Sequence, residues 1–588
     1  MKAIYLNPDR PVQERVADLL GRMTLAEKAG LMFHSISMVQ PGEESADLVD
    51  HGTEALITQG FLSHFNVHQL PSARLAARWH NRMQELAAST RLGIPVTVST
   101  DPRHASAENM GASFAAGFFS AWPEAIGFAA LGDEETVRGF ADIARQEYLA
   151  VGIRAALHPS IDLATEPRWA RQYGGFGQDA ETSARLAVAY LEGFQGKTVG
   201  PSSVACMTKH FPGGGPQRDG EDPHFPYGRE QVYPGENFDY HLYPFRATLA
   251  AGTSAVMPYY GMPVGLKRRG EAVEEVGFGF NRQIITGLLR KELGYDGVVC
   301  TDWGLLNDST IYGKFLPARA WGVEHLSMED RMIKVVDAGC DQFGGEECPE
   351  ALVRLVAEGK ISESRIDESV TRLLRVKFEL GLFENPFVDE DAAVSIAGNP
   401  LFQEAGLQAQ ARSVVVLKAP SQDLLPLDPD MRVFVENMDG QSLVGSAQLV
   451  SEPSAADLAI VRLNAPFTPR DELFLEAAFH AGSLDFADDV ISRITELASQ
   501  TKVVLVVNLD RPAVLTPIEP LCEAILGVFG VSDAALARVL SGHTRPEGTL
   551  PFELPSSMDA VLASRTDVPS DTANPLYAYG HSQPLGKG

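Results

Sequence analysis

Charged and polar side chains stand at the ends of several short apolar runs in the first two thirds of the chain. Asp101 ends the run IPVTVSTD, and Lys209 and His210 end the run SVACMTKH. Asp302 comes at the end of a third run, DGVVCTDW. A fixed carboxylate can act as a nucleophile or can transfer a proton. These residues therefore indicate a catalytic site, provided that the fold brings the ends of the runs together.

The elements that must position these residues extend from about residue 10 to about residue 390, where short β-rich runs alternate with helical patterns. The strand-like runs are the three above together with IRAALHPSID and TSAVMPYY. Helical segments such as ETSARLAVAYLEGF and NRQIITGLLRKELG lie between the strand-like runs, and Thr24 with Glu27 predicts a capping box at the start of a helix. A repeated strand–helix order indicates a parallel sheet covered by helices, and this many units favours a (β/α)8-type TIM-like barrel. In such barrels the active-site residues lie at the ends of the strands.

A second α/β block follows the barrel. We expect the barrel domain to span residues 1–390, a linker to span 391–410, an α/β sandwich domain that completes the active site to span 411–560, and a tail to span 561–588. The second block contains five short apolar strands: RSVVVLK, RVFVEN, LAIVRLN, TKVVLVVNLD and EAILGVFG. Neither GxGxxG nor GxxxxGK[ST] occurs, so the strand ends carry no phosphate-binding signature.

The composition limits the classes of partner. With 49 basic and 77 acidic residues, the formal charge is 49 − 77 = −28, and such a surface repels nucleic acid and anionic membranes. The sequence shows neither a signal peptide nor an apolar run of membrane-spanning length, so we expect a cytoplasmic protein. The five scattered cysteines indicate neither a disulfide framework nor a zinc site. His34, His64 and His68 are interpreted as loop or pocket histidines rather than metal ligands.

Seven segments, in order along nearly the whole chain, resemble glycoside hydrolase family 3. The segment DGVVCTDWG matches the family's nucleophile motif, usually written DGxxxSDW. The order of all seven makes the resemblance specific, although each alone is weak. The other six segments are RVADLLGRMTLAEKAGLM, RWARQYGGFGQDAE, KHFPGGG, AVMPYYGMP, SRIDESVTRLLRVKFELGLFENPF and RPEGTLPFELP.

The resemblance implies a retaining, exo-acting β-glycosidase that removes terminal non-reducing β-D-glucosyl residues through a covalent intermediate on Asp302. It also implies that Asp101 grips hydroxyls of the terminal sugar and that Lys209 and His210 donate to the same sugar. Arg168 and Arg171 flank the RWAR segment, and one of them, for which we choose Arg168, is expected to face the pocket. Trp303 and Trp169 are candidates for stacking against sugar faces.

The general acid/base is less well specified by the motifs. In two-domain members of the family a Glu comes from a loop of the second domain, and here that loop reads APFTPRDELFLEAAFHAGSLDF, with Pro469 where the Glu is expected. Nearby candidates are Glu472, which we favour, and Asp471 and Glu476. A different candidate is the pair Asp222 and His224 in the segment after KHFPGGG, which resembles the Asp–His pair of the family's β-N-acetylglucosaminidase branch.

Other functions stay open at this point. β-Xylosidase, β-N-acetylglucosaminidase and a phosphorylase share the same chemistry, and a non-catalytic sugar-binding protein is the alternative from a different class. Retention of Asp302, Asp101, Lys209 and His210 argues against the binding protein. We expect a β-linked oligosaccharide or glycoside as substrate and no metal or organic cofactor, because glycosyl transfer by two carboxyl groups needs neither redox chemistry nor a Lewis acid. The quaternary state stays open, with a homodimer as one candidate.

Overall fold

Eight parallel strands close into a barrel in the first domain. The computed structural model describes residues 3–39, 48–106, 113–420 and 424–585. In chain order the barrel strands are β1 (Phe33–Ser37), β2 (His64–Val67), β3 (Thr97–Thr100), β4 (Ile153–Ala156), β5 (Ala205–Phe211), β6 (Ala255–Pro258), β7 (Val298–Trp303) and β8 (Gln342–Gly344). Each strand pairs with its neighbours in sequence, and β8 pairs with β1. The predicted barrel is confirmed.

Three barrel strands, β1, β2 and β8, are not among the strand-like runs identified in the sequence. Their sequences FHSIS, HFNV and QFG mix apolar residues with His, Ser, Asn and Gln. Most of these polar residues are nevertheless buried. A strand covered on both faces is recognised by a continuous apolar run, so buried polar side chains conceal it.

Helices cover the outside of the barrel. Thr24 caps one of them through the predicted capping box with Glu27, in which both hydrogen bonds are present. The helical segment NRQIITGLLRKELG forms a π-helix at Gln283–Glu292 rather than a regular α-helix. The α-helices of this domain are Val12–Leu20, Leu25–Leu31, His51–Thr58, Ala73–Ser89, Ala125–Leu131, Glu134–Ala150, Ala180–Gln195, Phe238–Ala250, Met328–Ala338, Pro349–Ala357 and Glu363–Glu379.

The second domain is an open sheet of six strands. They are β9 (Val415–Lys418), β10 (Arg432–Glu436), β11 (Gln448–Leu449), β12 (Leu458–Asn464), β13 (Lys502–Asn508) and β14 (Ala524–Val528). The order across the sheet is β9-β14-β13-β12-β10-β11, and all strands are parallel except β9. Apolar clusters fill both faces of the sheet, as expected for an α/β sandwich. Its α-helices are Asp488–Gln500, Asp533–Leu540 and Met558–Ala563.

The segment between the two domains is largely helical. The range 391–410, expected to be a linker, overlaps the helices Glu390–Ile396 and Pro400–Arg412. The expected tail is tied to the barrel domain, because Asp567 accepts hydrogen bonds from the backbone of Gly235 and Asn237. Residues 586–588 of that tail lie outside the described residues. Within the described ranges, no helix combines the length and the apolar character needed to cross a membrane.

Candidate active site

A cavity of about 150 Å³ opens at the carboxyl ends of the barrel strands. Most of its walls come from residues at or just beyond strand ends, and one wall comes from the second domain. This is the face at which barrel enzymes carry their active sites. The lining residues are Ile36, Asn66, His68, Asp101, Phe114, Leu157, Arg171, Lys209, His210, His224, Met257, Tyr260, Asp302, Trp303 and Leu475.

Asp302 is delivered to the cavity by β7. The strand residues Val298, Val299 and Cys300 are buried, and the Asp302 side chain itself is only 11% exposed. Its Oδ1 accepts a hydrogen bond of 2.8 Å from the backbone N–H of Trp303. Its Oδ2 is buried, and no hydrogen-bond partner is present among the described residues. One oxygen is thus held by the backbone, and the other lies buried beside His210 and Tyr260.

Asp101 and Lys209 form a buried ion pair on the cavity wall. The Lys209 ammonium donates to Asp101 Oδ1 at 2.9 Å, and the Asn66 amide donates to Asp101 Oδ2 at 3.1 Å. Burial alone would raise the pKa of the Asp101 carboxyl, but the Lys209 charge and these hydrogen bonds hold it below its ordinary value. A charged acceptor beside a charged donor suits the recognition of vicinal hydroxyl groups.

His210 is held between Asp162 and Arg171. Its Nδ1 lies 2.6 Å from Asp162 Oδ2, and its Nε2 accepts a hydrogen bond of 3.3 Å from Arg171 Nη1. The same Nε2 lies 3.8 Å from Asp302 Oδ2. Burial lowers the pKa of His210, although the Asp162 charge opposes this shift. The neutral imidazole therefore has a fixed tautomer and a fixed direction toward Asp302.

The RWAR segment places Arg171 on the cavity wall and Arg168 outside it. Arg168 instead makes two hydrogen bonds to the Glu166 carboxylate, at 2.8 and 3.0 Å. Trp169 is fully buried and donates its indole N–H to Asp222, so it does not stack on a ligand. The choice of Arg168 as the cavity residue therefore needs correction to Arg171, because Glu166, two residues away, captures the Arg168 guanidinium.

Trp303 and Tyr260 form an aromatic part of the cavity wall. The Tyr260 hydroxyl donates to the Trp303 backbone carbonyl at 2.7 Å, which ties the two residues together. Burial and the Asp302 charge raise the pKa of Tyr260 well above its ordinary value. Trp303 is partly exposed. An aromatic face of this kind can pack against the C–H face of a sugar ring.

The loop of the second domain that follows β12 contributes only Leu475 to the cavity. Glu472 is exposed and lies outside the cavity lining. Asp471 forms an ion pair with Lys314. Glu476 is buried and accepts hydrogen bonds from Tyr227 and from the backbone N–H groups of Glu472 and Leu473. The three carboxylates considered in the sequence thus anchor or flank the loop and do not meet Asp302.

His224 does reach the cavity. Its Nδ1 lies 2.6 Å from Asp222 Oδ1, and its ring packs between Tyr260 and Phe479, with centroid distances of 4.7 and 4.8 Å. Burial lowers the pKa of His224, and the Asp222 charge partly restores it. Burial would raise the pKa of Asp222, but His224 and Arg171 lower it to about 2. A carboxylate therefore orients an imidazole toward the space beside Asp302, which is the arrangement of an acid/base pair.

The three clustered histidines have separate positions. His34 and His64 lie within β1 and β2, and only His68 lines the cavity. His34 Nε2 is hydrogen-bonded to Ser99 at 2.7 Å, and burial lowers the pKa of His34 to about 3. Across the described ranges, no group of three or more His, Cys, Asp and Glu side chains is arranged to hold a metal ion.

Several residues of the site were not identified in the sequence. Asp162 ends the run IRAALHPSID, so the strand-end rule that selected Asp101 could have selected it too. Tyr260 lies two residues after the end of β6, a position that offered the same signal. Asn66 could not be identified in this way, because its strand β2 contains polar residues and was not recognised as a strand in the sequence.

Comparison with known proteins agrees with this geometry. Models of the N-terminal and C-terminal domains of glycosyl hydrolase family 3 match residues 24–376 and 326–583. β-Glucosidase C of Emericella nidulans is 50% identical over 98% of this chain and 93% of its own length. A periplasmic β-glucosidase/β-xylosidase of Dickeya chrysanthemi is 40% identical over 98% of this chain and 90% of its own length.

The fold is also found among solved structures. A β-glucosidase from Listeria innocua, solved in complex with glucose, superposes with a TM-score of 0.76 at 20% identity, over 97% of this chain and 83% of that one. At this identity the likeness supports the two-domain fold alone. The matches to both family domains and the full-length relatives lead to one conclusion: the chain belongs to glycosyl hydrolase family 3.

Proposed function

We propose that the chain is a retaining, exo-acting β-glucosidase that hydrolyses terminal non-reducing β-D-glucosyl residues. The observation that carries the proposal is the free Oδ2 of Asp302 in a cavity whose walls hold a sugar-binding ion pair and an imidazole. Relatives named β-glucosidase, at 48–50% identity over nearly the whole chain, support the choice of sugar.

In the first step Asp302 Oδ2 attacks the anomeric carbon, and the bond from that carbon to the leaving oxygen breaks. The Trp303 N–H keeps the carboxylate aimed, since it holds Oδ1 at 2.8 Å. His210 Nε2, which is hydrogen-bonded to Arg171, lies 3.8 Å from Asp302 Oδ2 on the other side. In the second step water attacks the same carbon, and Asp302 leaves, so that the configuration is retained.

The Asp222–His224 pair supplies the acid/base in this proposal. His224 Nε2 donates a proton to the leaving oxygen in the first step and takes one from water in the second. Asp222 fixes the tautomer, because its Oδ1 accepts from His224 Nδ1. The alternative, Glu472, is exposed and outside the cavity lining, and Asp471 and Glu476 have partners elsewhere.

The catalytic cavity is small, at about 150 Å³, and this supports action on one terminal sugar. Asp101 and Lys209 on the wall would bind hydroxyl groups of that sugar. Because the anomeric carbon of the bound sugar must lie at Asp302, that sugar would be the non-reducing end of a chain.

The proposal is tested with p-nitrophenyl β-glucoside, β-xyloside and β-N-acetylglucosaminide, each assayed with the wild type and Asp302→Ala. We expect the highest kcat/KM for the β-glucoside and loss of turnover in the variant. A preference for xyloside or N-acetylglucosaminide would reassign the sugar but keep the mechanism. A wild type silent on all three sugars would revive the sugar-binding protein, and an active Asp302→Ala would refute the nucleophile.

Two further predictions accompany the proposed activity. The first is a cytoplasmic location, which fractionation of the source cells would test. The second is a homodimer, which sedimentation equilibrium would distinguish from a monomer of 63.6 kDa.

A further inference from the structure

A second cavity, of about 690 Å³, lies where the second domain faces the barrel domain. We call it the interdomain crevice and define it by Glu124, Asn437, Asn464, His480, Asn508 and Asp510. Among the described residues, its lining shares no member with the cavity around Asp302. A smaller cavity of about 70 Å³ lies between the two and shares Glu124 with the crevice and Lys209 with the cavity around Asp302. The crevice therefore adjoins the catalytic site through this smaller cavity but has a lining of its own.

The crevice lies at the point in the second sheet where ligands bind in open α/β folds. The chain passes from β10 to β11 on one side and then places β12 on the other side of β10. The carboxyl ends of β10 and β12 thus diverge, and they carry Asn437 and Asn464 into the crevice. A crevice outside the carboxyl ends of strands at such a switch point is a preferred binding place.

Two amide side chains, an imidazole and a carboxylate line this space. Asn464 and Asn508 stand opposite each other in the register of β12 and β13. Asp510 Oδ2 lies 2.6 Å from His480 Nδ1, whereas its Oδ1 is buried without a hydrogen-bond partner among the described residues. A buried carboxylate oxygen of this kind calls for a donor, and a hydroxyl group of a ligand can supply it.

The charges exclude an anionic ligand. Arg462 lines the crevice, but its guanidinium is bound to Asp533 at 2.5 Å. Burial, with a further contribution from the Asp510 charge, raises the pKa of Glu124 to about 8. Glu124 is then protonated at neutral pH and can donate to a ligand. Phosphates and carboxylates would meet the Asp510 charge with no free cation to balance it among the described lining residues.

An apolar wall completes the site. Tyr173 and Phe529 are buried and line the crevice together with Ile126. Amide groups, a carboxylate and an apolar wall together match a sugar, which presents hydroxyl groups at its edge and C–H groups on its faces. We propose that the interdomain crevice binds a neutral monosaccharide unit, separately from the catalytic cavity; the choice of glucose as the probe rests on the proposed function.

The crevice also lies at the base of the loop that closes the catalytic cavity. The His480 ring stacks on Phe467 at a centroid distance of 3.9 Å, and both residues belong to the loop that carries Leu475. A sugar that contacts His480 and Asp510 therefore binds beside the two ends of this loop rather than at its tip.

Equilibrium dialysis with radiolabelled D-glucose, which is not hydrolysed, measures the number of sugars bound per chain. We expect two in the wild type and one in Asp101→Ala, which lacks the carboxylate that would bind the sugar hydroxyl groups in the catalytic cavity. Asn464→Trp fills the crevice and should bind one, and the double variant should bind none. The milder Asn464→Ala should weaken crevice binding about 3- to 10-fold, the effect of one hydrogen bond.

The matched control is Gln448→Trp, on the exposed edge strand β11 of the same domain. It should bind two sugars and should hydrolyse p-nitrophenyl β-glucoside at the wild-type rate. One sugar in the wild type and none in Asp101→Ala would overturn the crevice site and leave the proposed function intact. Two sugars in Asp101→Ala would instead contradict the assignment of the catalytic cavity, and unchanged binding in Asn464→Trp would refute the crevice.

Discussion

The two domains contribute to the catalytic cavity in different ways. The barrel supplies its charged groups from strand ends, where they are buried and paired with one another, as Lys209 is with Asp101. The second domain supplies one apolar residue, Leu475, from a loop whose Arg470, Asp471 and Glu476 bind barrel residues. In the proposed mechanism the barrel therefore performs the chemistry, whereas the second domain encloses the site.

The largest effect is expected at Asp302. Asp302→Ala should lower kcat/KM about 10⁴- to 10⁶-fold, because both the nucleophile and its charge are lost. The measurement is hydrolysis of p-nitrophenyl β-glucoside. Asp337→Ala, an exposed position on the helix Met328–Ala338, is the matched control and should keep full activity. A fall of less than about tenfold at Asp302 would break the claim that the barrel carries the nucleophile.

The second largest effect tests whether the acid/base lies in the barrel or in the second domain. His224→Gln should lower kcat about 10²- to 10⁴-fold on cellobiose, whose leaving group needs a proton, and far less on 2,4-dinitrophenyl β-glucoside, whose leaving group does not. Glu472→Gln and Glu476→Gln are the matched variants in the second domain. If either Gln variant shows this dependence on the leaving group and His224→Gln does not, the acid/base belongs to the loop.

The pH dependence sharpens the same comparison. His224 must be protonated to act as an acid, so kcat/KM should fall as the pH rises through its pKa. Burial places this pKa below the ordinary value of 6.5 for His, with Asp222 opposing the shift. Asp222→Asn removes the opposing charge and should move the basic limb of the profile to lower pH. A basic limb that stays in place in Asp222→Asn would contradict this role.

A smaller effect is expected at Asp162, which touches His210 but not the cavity. Asp162→Asn should lower kcat/KM about 10- to 100-fold, the value of one charge-assisted hydrogen bond. The loss should appear mainly in kcat, because His210 would lose its fixed direction toward Asp302. A loss of thermal stability with unchanged kcat per folded molecule would show that Asp162 is structural only.

The smallest effect is expected at the anchors of the second-domain loop. Arg470 makes two hydrogen bonds to Glu221, at 2.6 and 2.7 Å, and its guanidinium lies over the Tyr227 ring. Arg470→Ala should raise KM about 2- to 5-fold, because a partly exposed ion pair stabilises the loop by about 1 kcal/mol or less. A collapse of kcat in this variant would mean that the loop takes part in the chemistry.

Much of the fold followed from the sequence, since alternating strands and helices with acidic strand ends leave few architectures. The strand that ends in Asp302 was identified because its residues form an apolar run. The strand that carries Asn66 was not identified, because polar side chains inside the barrel interrupt the run. The local sequence pattern therefore predicts only those strands whose buried side chains are apolar.

Side-chain direction within loops was harder to predict. Arg168 and Arg171 are the same residue type and lie three residues apart. The hydrogen bonds of Arg168 to the Glu166 carboxylate hold its side chain outside the cavity, whereas Arg171 lines it. The directions of the Glu472 and Glu476 side chains were equally hard to predict. Glu476 accepts a hydrogen bond from Tyr227, which lies 249 positions away in the sequence. Such partners are set by tertiary contacts that a single sequence does not display.

The central claim is that Asp302 forms a covalent bond to the sugar. Incubation with 2,4-dinitrophenyl 2-deoxy-2-fluoro-β-D-glucoside, followed by mass spectrometry of proteolytic peptides, tests this claim directly, because the fluorine slows the second step and allows the intermediate to accumulate. We predict one fluoroglucosyl group per chain, attached to Asp302 in the peptide that contains VVCTDW. A label on another carboxylate, or inactivation of the enzyme with no label on Asp302, would contradict the account.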